Sequence, residues 1–210
     1  MWGRMLGSRE GCVQFAFLVL LTVLYFLGTT AVEDGLVIVS RDPRVQVFTD
    51  VRGNLGSPRV LTQDPPGKDW IRDRWQAASD MGGTAIVGVH WVKLDFHRFV
   101  SMHKLELDWE AAFSDTYTIM CRSTESEEWK LLYDRSSSSE QDASIFTSTA
   151  YGQSPGVKYS LPLHIVHTLN LNRTKDIFFR YLQLVIEKPA AGWGVSLWQV
   201  DVHGKEYSYF

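Results

Sequence analysis

Cysteine is nearly absent: the 210 residues hold two, Cys12 and Cys121. Cys12 belongs to an N-terminal apolar stretch, and once that stretch is removed Cys121 is alone and no disulfide can form within the chain. No His/Cys cluster has metal-site spacing, and neither a G-x-S-x-G elbow nor a phosphate loop occurs, so no catalysis is read. Helical periodicity is missing too, with no heptad, no repeat and no long 3.6-residue pattern. Acidic residues slightly outnumber basic ones. The formal net charge is -3 and no basic run occurs, which leaves little electrostatic reason to bind nucleic acid. What is there is ordinary for one globular domain with one core: 45% hydrophobic, 13% aromatic and 21% charged residues.

The N-terminus is the exception. Val13 to Leu27 is apolar apart from Gln14 and Thr22, preceded by Arg4 and Arg9 and followed by Glu33 and Asp34. Such a run falls short of the roughly 20 residues of a membrane span and fits a signal-peptide core. Thr29 and Ala31 supply the small residues of a cleavage site, so residues 1–31 are expected to be removed. Continued through Gly28 to Val32 the stretch is long enough for an uncleaved type II anchor, the alternative. Either reading sends the domain into the secretory pathway. Asn172-Arg173-Thr174 is a glycosylation sequon, in keeping with that route.

Beyond the leader the chain alternates with period two. Leu105, Leu107 and Trp109 face one way and Glu106, Asp108 and Glu110 the other, which predicts a strand with one buried face. Ala111 to Asp115 reads as a turn, after which Tyr117, Ile119 and Cys121 share a face. Two such strands must bury their apolar sides against another sheet, as in a sandwich. Val45 to Phe48, Ile86 to Val89, Val92 to Phe96, Trp129 to Tyr133, Ile145-Phe146, Lys158 to Leu161, Phe178 to Glu187 and Trp198 to Val202 are the other strand candidates. In the last two, Leu182, Leu184, Ile186, Trp198, Val200 and Val202 are expected to face in. Leu163 to Asn170 fits helix and strand equally. Asn54 to Asp69, rich in Gly, Pro and Asp, reads as a long loop. The fold class is all-β.

Several short motifs in order carry a resemblance: WVKLDF from Trp91, LELDWEAAFSDTYTI from Leu105, EEWKLL ending at Leu132, IRDRWQAASD from Ile71, and GWGVSLWQVDVHG from Gly192 to Gly204. Together they resemble the discoidin domain, the coagulation factor V/VIII type C module of the galactose-binding-like superfamily, and in character its carbohydrate-binding members. The resemblance implies a jelly-roll β-sandwich over residues 45–204, with 32–44 a linker or extra strand and 205–210 a tail. It also implies a secreted or lumenal, non-catalytic, lectin-like module that binds a galactose-like glycan or glycoprotein through the loops at one end. The alternative is a protein-interaction or adhesion domain of the same fold. A lipid-surface binder is disfavoured by the acidic balance, which leaves membrane contact to an uncleaved anchor.

Eight tryptophans are the natural sugar platforms, since an indole can stack on the C–H face of a pyranose. Trp91, Trp109, Trp129 and Trp198 lie in strand patterns and Trp75 in the Arg-Trp element, so these five are expected in the core. Trp193, between Gly192 and Gly194, and Trp70, in the polar loop PPGKDWIRDR, have no strand neighbour and are the candidate ligand contacts. Arg72, Arg74 and His90 flank the same loops as possible donors to sugar hydroxyls. Many relatives hold calcium beneath these loops, and the resemblance makes Asp64 and Asp69 the candidate ligands. Gln199 stands where Glu is usual and Lys68 intrudes in the turn, which puts the ion in doubt. No other cofactor is expected. His164 and His167 are three apart, but two histidines without a third ligand are weak evidence for zinc.

Overall fold

A computed structural model describes residues 35–51, 57–78, 84–135, 144–152, 163–190 and 194–207. The leader, Trp193 and the strand expected at Lys158 to Leu161 lie outside them. Among the described residues ten strands follow one another: β1 Val37–Ile38, β2 Gln46–Thr49, β3 Trp75–Gln76, β4 His90–Trp109, β5 Thr116–Arg122, β6 Lys130–Asp134, β7 Phe146–Tyr151, β8 His164–Asn170, β9 Phe179–Lys188 and β10 Ser196–Tyr207. The ambiguous segment is therefore strand β8. Of the two expectations for residues 32–44, Val37 and Ile38 are the extra strand, paired with β10. Lys205 to Tyr207 prolong β10 beside Phe99 to Ser101, three residues into the expected tail.

The long strand β4 ties the two layers together. Its first half, His90 to Asp95, pairs with β9, and Val92 to Asp95 with β2. Its second half pairs with β10 from Phe99 and with β8 from Lys104. One layer thus reads β2-β4-β9-β5-β6 and the other β1-β10-β4-β8-β7, all pairs antiparallel. The corner falls at His97, whose φ of 55° costs a non-glycine residue roughly 1–2 kcal/mol. Asp95 holds that corner: it accepts the His97 N–H at 2.8 Å and a two-pronged contact from Arg180 at 2.8 and 2.9 Å.

The inner faces meet as the alternation predicts. Leu105, Leu107 and Trp109 of β4 face Tyr117, Ile119 and Cys121 of β5 and Leu182, Leu184 and Ile186 of β9 in one buried cluster. Each such side chain contributes roughly 1.5–3 kcal/mol by leaving water. Burial pushes the Cys121 thiol up to about 11, the behaviour of an inert core cysteine. Trp75 joins this core, while Trp91 and Trp129 are only half-buried and the Arg122 guanidinium lies 4.4 Å over the Trp129 ring.

Three strand expectations fail, two of them where a ladder is interrupted. β10 carries a bulge between Leu197, opposite Trp109, and Gln199, opposite Asp108. The extra residue is Trp198, which therefore leaves the core face and stacks on His164 of β8 with ring centroids 5.2 Å apart. A register shift between β5 and β6 turns Leu132 and Tyr133 inward and leaves Leu131 exposed. Ile86 to Val89 is loop, held by one bridge from Ala85 to Ala78, with Gly88 at φ +129° and Val87 and Val89 exposed.

Candidate functional site

Because β4 folds back on itself, its first and last residues lie at the same end of the sandwich, and the connecting loops gather there. Ala77 donates to the Val195 carbonyl, Ile86 to Ala77, Ser196 to Ala112 and Ala190 to Phe113. Four of the five end-loop candidates can be followed into this end. Arg74 is buried, donating through Nε to the Trp70 carbonyl at 2.6 Å and through Nη1 to Ser196 Oγ at 2.7 Å. Burial lowers its pKa from the ordinary arginine value, with Glu110 opposing. His90 is buried with both ring nitrogens engaged, Nδ1 with Asp50 and Nε2 with the Ile86 carbonyl, each at 2.8 Å. Both His90 nitrogens, and Nε and Nη1 of Arg74, are thus spent inside the protein. Trp70 is half-buried, with the Arg74 guanidinium 4.3 Å over its ring and its N–H 3.5 Å from Glu110 Oε1. Arg72 is exposed. Trp193 lies outside the described residues; the glycine after it, Gly194, sits at φ +87°, where an added Cβ would come 2.7 Å from that of Ala85.

The residues beneath these loops do not fit calcium. Asp69 Oδ1 caps the backbone N–H groups of Ile71 and Arg72, Asp73 Oδ2 caps those of Lys68 and Asp69, and Asp64 pairs with Arg41 at 3.2 Å. Gln199 donates its amide to the Gln63 carbonyl at 2.9 Å, turning a donor toward an oxygen a cation would need. Among the described residues no group of three or more His, Cys, Asp or Glu side chains could hold a metal ion. His164 and His167, on one strand at odd spacing, point to opposite faces. His167 is buried against Trp109, Phe113, Tyr117 and Phe146, and burial lowers its pKa to about 4.

A cleft of about 750 Å³ opens instead on the outer face of β10-β4-β8-β7, walled on one side by Pro65 to Lys68. Sheet pairing builds its floor. Asp108 lies opposite Val166 of β8 and Gln199 of β10, Glu106 opposite Asp201, and His164 opposite Tyr151 of β7. Three rings form a stack: Tyr151 lies 4.7 Å from His164 at 10°, and His164 lies on Trp198 at 30°. Tyr151 ends the stack and is 54% exposed, while Trp198 is buried with its N–H on the Leu163 carbonyl at 3.0 Å.

The carboxylates of the floor differ in their partners. Asp201 takes Nε and Nη2 of Arg41 at 2.9 and 2.6 Å. Glu106 accepts from His203 Nε2 at 2.8 Å, with Lys104 Nζ at 3.3 Å, and the His203 hydrogen bond does most to hold it near 2 against burial. Asp108 has His164 Nδ1 at 2.9 and 3.1 Å. Burial raises Asp108 to about 6, with Asp201 and Glu106 adding and His164 opposing. An exposed aromatic face beside inward-facing acceptors is a surface that can hold a ring bearing hydroxyl or amine donors.

No protein-family model and no curated protein matches the chain. Solved structures do. The chain is similar to chitosan-binding module 1 of a chitosanase/glucanase from Paenibacillus sp. IK-5, at 16% identity and TM-score 0.51, over 77% of this chain and 95% of that one. It is likewise similar to CpGH89CBM32-6 of Clostridium perfringens, at 10% identity and TM-score 0.51, over 80% and 99%. The chain shares the β-sandwich fold of these two carbohydrate-binding modules. At these identities the likeness reaches the fold and stops short of the site residues.

In this sandwich the alternation marked Glu106 and Asp108 as outward, but nothing local marks Tyr151, His164, Trp198 and Gln199 as their neighbours. They come together through ladders spanning 56 residues or more between Asp108 and its partners on β8 and β10.

Proposed function

We propose that the protein is a non-catalytic carbohydrate-binding module that holds a sugar ring against Tyr151 in the sheet-face cleft. The observation that carries this reading is the exposed phenol ring ending a three-ring stack, with the acceptors of Asp108 and Glu106 on the same floor. A galactose-like pyranose, the sugar to which the sequence resemblance points, offers a C–H face to the ring and hydroxyls to the carboxylates. The absence of catalysis is part of the proposal. Glu106 and Asp108 project side by side from one strand, and Asp201 is locked by Arg41, an arrangement unlike two carboxyls flanking a glycosidic bond. One stacked ring buries little area, so the dissociation constant is expected at about 0.1–1 mM.

Titration calorimetry against galactose- and glucosamine-based oligosaccharides tests this reading. Tyr151→Ala should abolish binding while costing less than about 1 kcal/mol of stability, as at an exposed site. Loss of binding in Trp70→Ala or Trp193→Ala with Tyr151→Ala unaffected would move the site to the loop end. A second reading, a protein-interaction domain of this fold, draws on Ile71, Val87 and Val89, which stand exposed on those loops; a wild-type protein that binds no glycan would favour it. The module is proposed to act outside the cytoplasm after cleavage behind Ala31, so that secreted protein begins at Val32. Finding Met1 on membrane-bound protein would decide for the anchor.

A further inference from the structure

Resting on the reading of the cleft as a glycan site, we propose that it selects a sugar bearing a free, protonated amine, with the ammonium seated between Asp108 and Gln199. Two independent features of the floor lead there. The first is an unbalanced charge. Of the three carboxylates that line the cleft, Asp201 has Arg41 and Glu106 has Lys104, both permanent cations, whereas Asp108 has a histidine and, among the described residues, no lysine or arginine within 4 Å. Two further acids repel it, and its side chain is 19% exposed. A carboxylate so enclosed is stabilised most by a compact positive charge delivered from the open side.

The second is a buried acceptor without a donor. Gln199 is 3% exposed and lines the cleft directly opposite Asp108 in the β10–β4 ladder. Its nitrogen donates to the Gln63 carbonyl, which fixes the amide's orientation, because flipping it would set two oxygens against each other. Its Oε1 is enclosed and has no hydrogen-bond partner among the described residues, so a ligand donor reaches it by a small movement of the side chain. An unmade hydrogen bond at a buried group is a standing cost that a ligand donor relieves. Gln199 shares the outward row with Asp201 by simple alternation, and the bulge sets Trp198 beside it.

Asp108 and Gln199 together offer acceptors on adjacent strands, with no fixed cation between them among the described residues. An ammonium carries three donors and a full charge in one small group, which suits that pair better than a hydroxyl with its single donor. A carboxylated sugar would meet three like charges. Lys68 on the loop rim is exposed, where solvent and salt weaken its opposition. Tyr151 makes the ligand a ring, by stacking on the pyranose that carries the amine.

The test compares a glucosamine oligosaccharide with its N-acetylated counterpart by calorimetry at neutral pH and low salt. Acetylation removes the charge and two donors while keeping the ring. Wild-type protein should bind the free amine tenfold or more tightly, and Asp108→Asn should reduce that preference to less than threefold. Gln199→Leu should reduce it by a smaller factor, with circular dichroism confirming the fold. Equal binding of both sugars by wild type, or a preference that survives Asp108→Asn, would overturn the amine selectivity and leave the cleft as a glycan site. Binding of neither sugar would sink the glycan reading itself.

Discussion

Asp108 should weaken the fold that carries it, and removing its charge should show by how much. The ordinary aspartate value of 3.8 becomes about 6 in the folded protein, chiefly through burial. A carboxyl whose pKa rises on folding binds its proton more tightly in the native state than in the unfolded one. Below about pH 4 both states are protonated and the group is neutral to stability. Between about pH 4 and 6 the unfolded chain ionises first, and above about pH 6 the full penalty is present. A rise of this size corresponds to about 3 kcal/mol, an upper figure because one fifth of the side chain meets solvent.

Asparagine keeps an oxygen for His164 Nδ1 and carries no charge. Asp108→Asn is therefore expected to gain about 1–3 kcal/mol at about pH 8, and nothing at about pH 4. At roughly 2–4 °C per kcal/mol for a domain of this size, the midpoint should rise by about 2–12 °C at the higher pH. Urea unfolding at the two pH values, with an unchanged m-value, is the measurement. A variant less stable at about pH 8 would show that the contact with His164 outweighs burial. A gain of the same size at both would show that charge is not the cause. If the gain appears together with loss of amine preference, Asp108 is a group kept for binding at the expense of stability.

Gly204 marks the second bulge of β10, and a Cβ there would come 1.8 Å from the Ser101 carbonyl oxygen of the neighbouring strand. Gly204→Ala is expected to cost about 3 kcal/mol or more, read as a drop in the urea midpoint; a change under about 1 kcal/mol would mean that the ladder opens there freely. Chelation should leave thermal stability almost unchanged, since the carboxylates beneath the loops are already engaged by backbone N–H groups and Arg41. A midpoint that falls by about 5 °C or more in chelator and returns with calcium would refute that.

The sequence alone determined the fold class and much of the core. Period-two alternation records which side of each strand is dry, and Leu105, Leu107, Trp109, Tyr117, Ile119 and Cys121 are buried as that pattern requires. The turn at Ala111 to Asp115 and the outward Glu106 and Asp108 were equally legible, because each depends on a few consecutive residues. The ladder interruptions were not. Trp198 and Leu131 obey alternation in the sequence and depart from it in the structure, because a bulge is set by the register of two strands against each other. Leu163 to Asn170 became a strand only through pairing with β4 and β7. The end-loop candidates divided for a related reason: arginine and histidine in a polar loop look exposed, but Arg74 finds Ser196 and His90 finds Asp50, 122 and 40 residues away. The cleft is wholly tertiary. Tyr151, His164, Trp198, Gln199 and Asp108 come from four strands, and their chemistry appears only when hydrogen-bonded ladders bring distant residues onto one face.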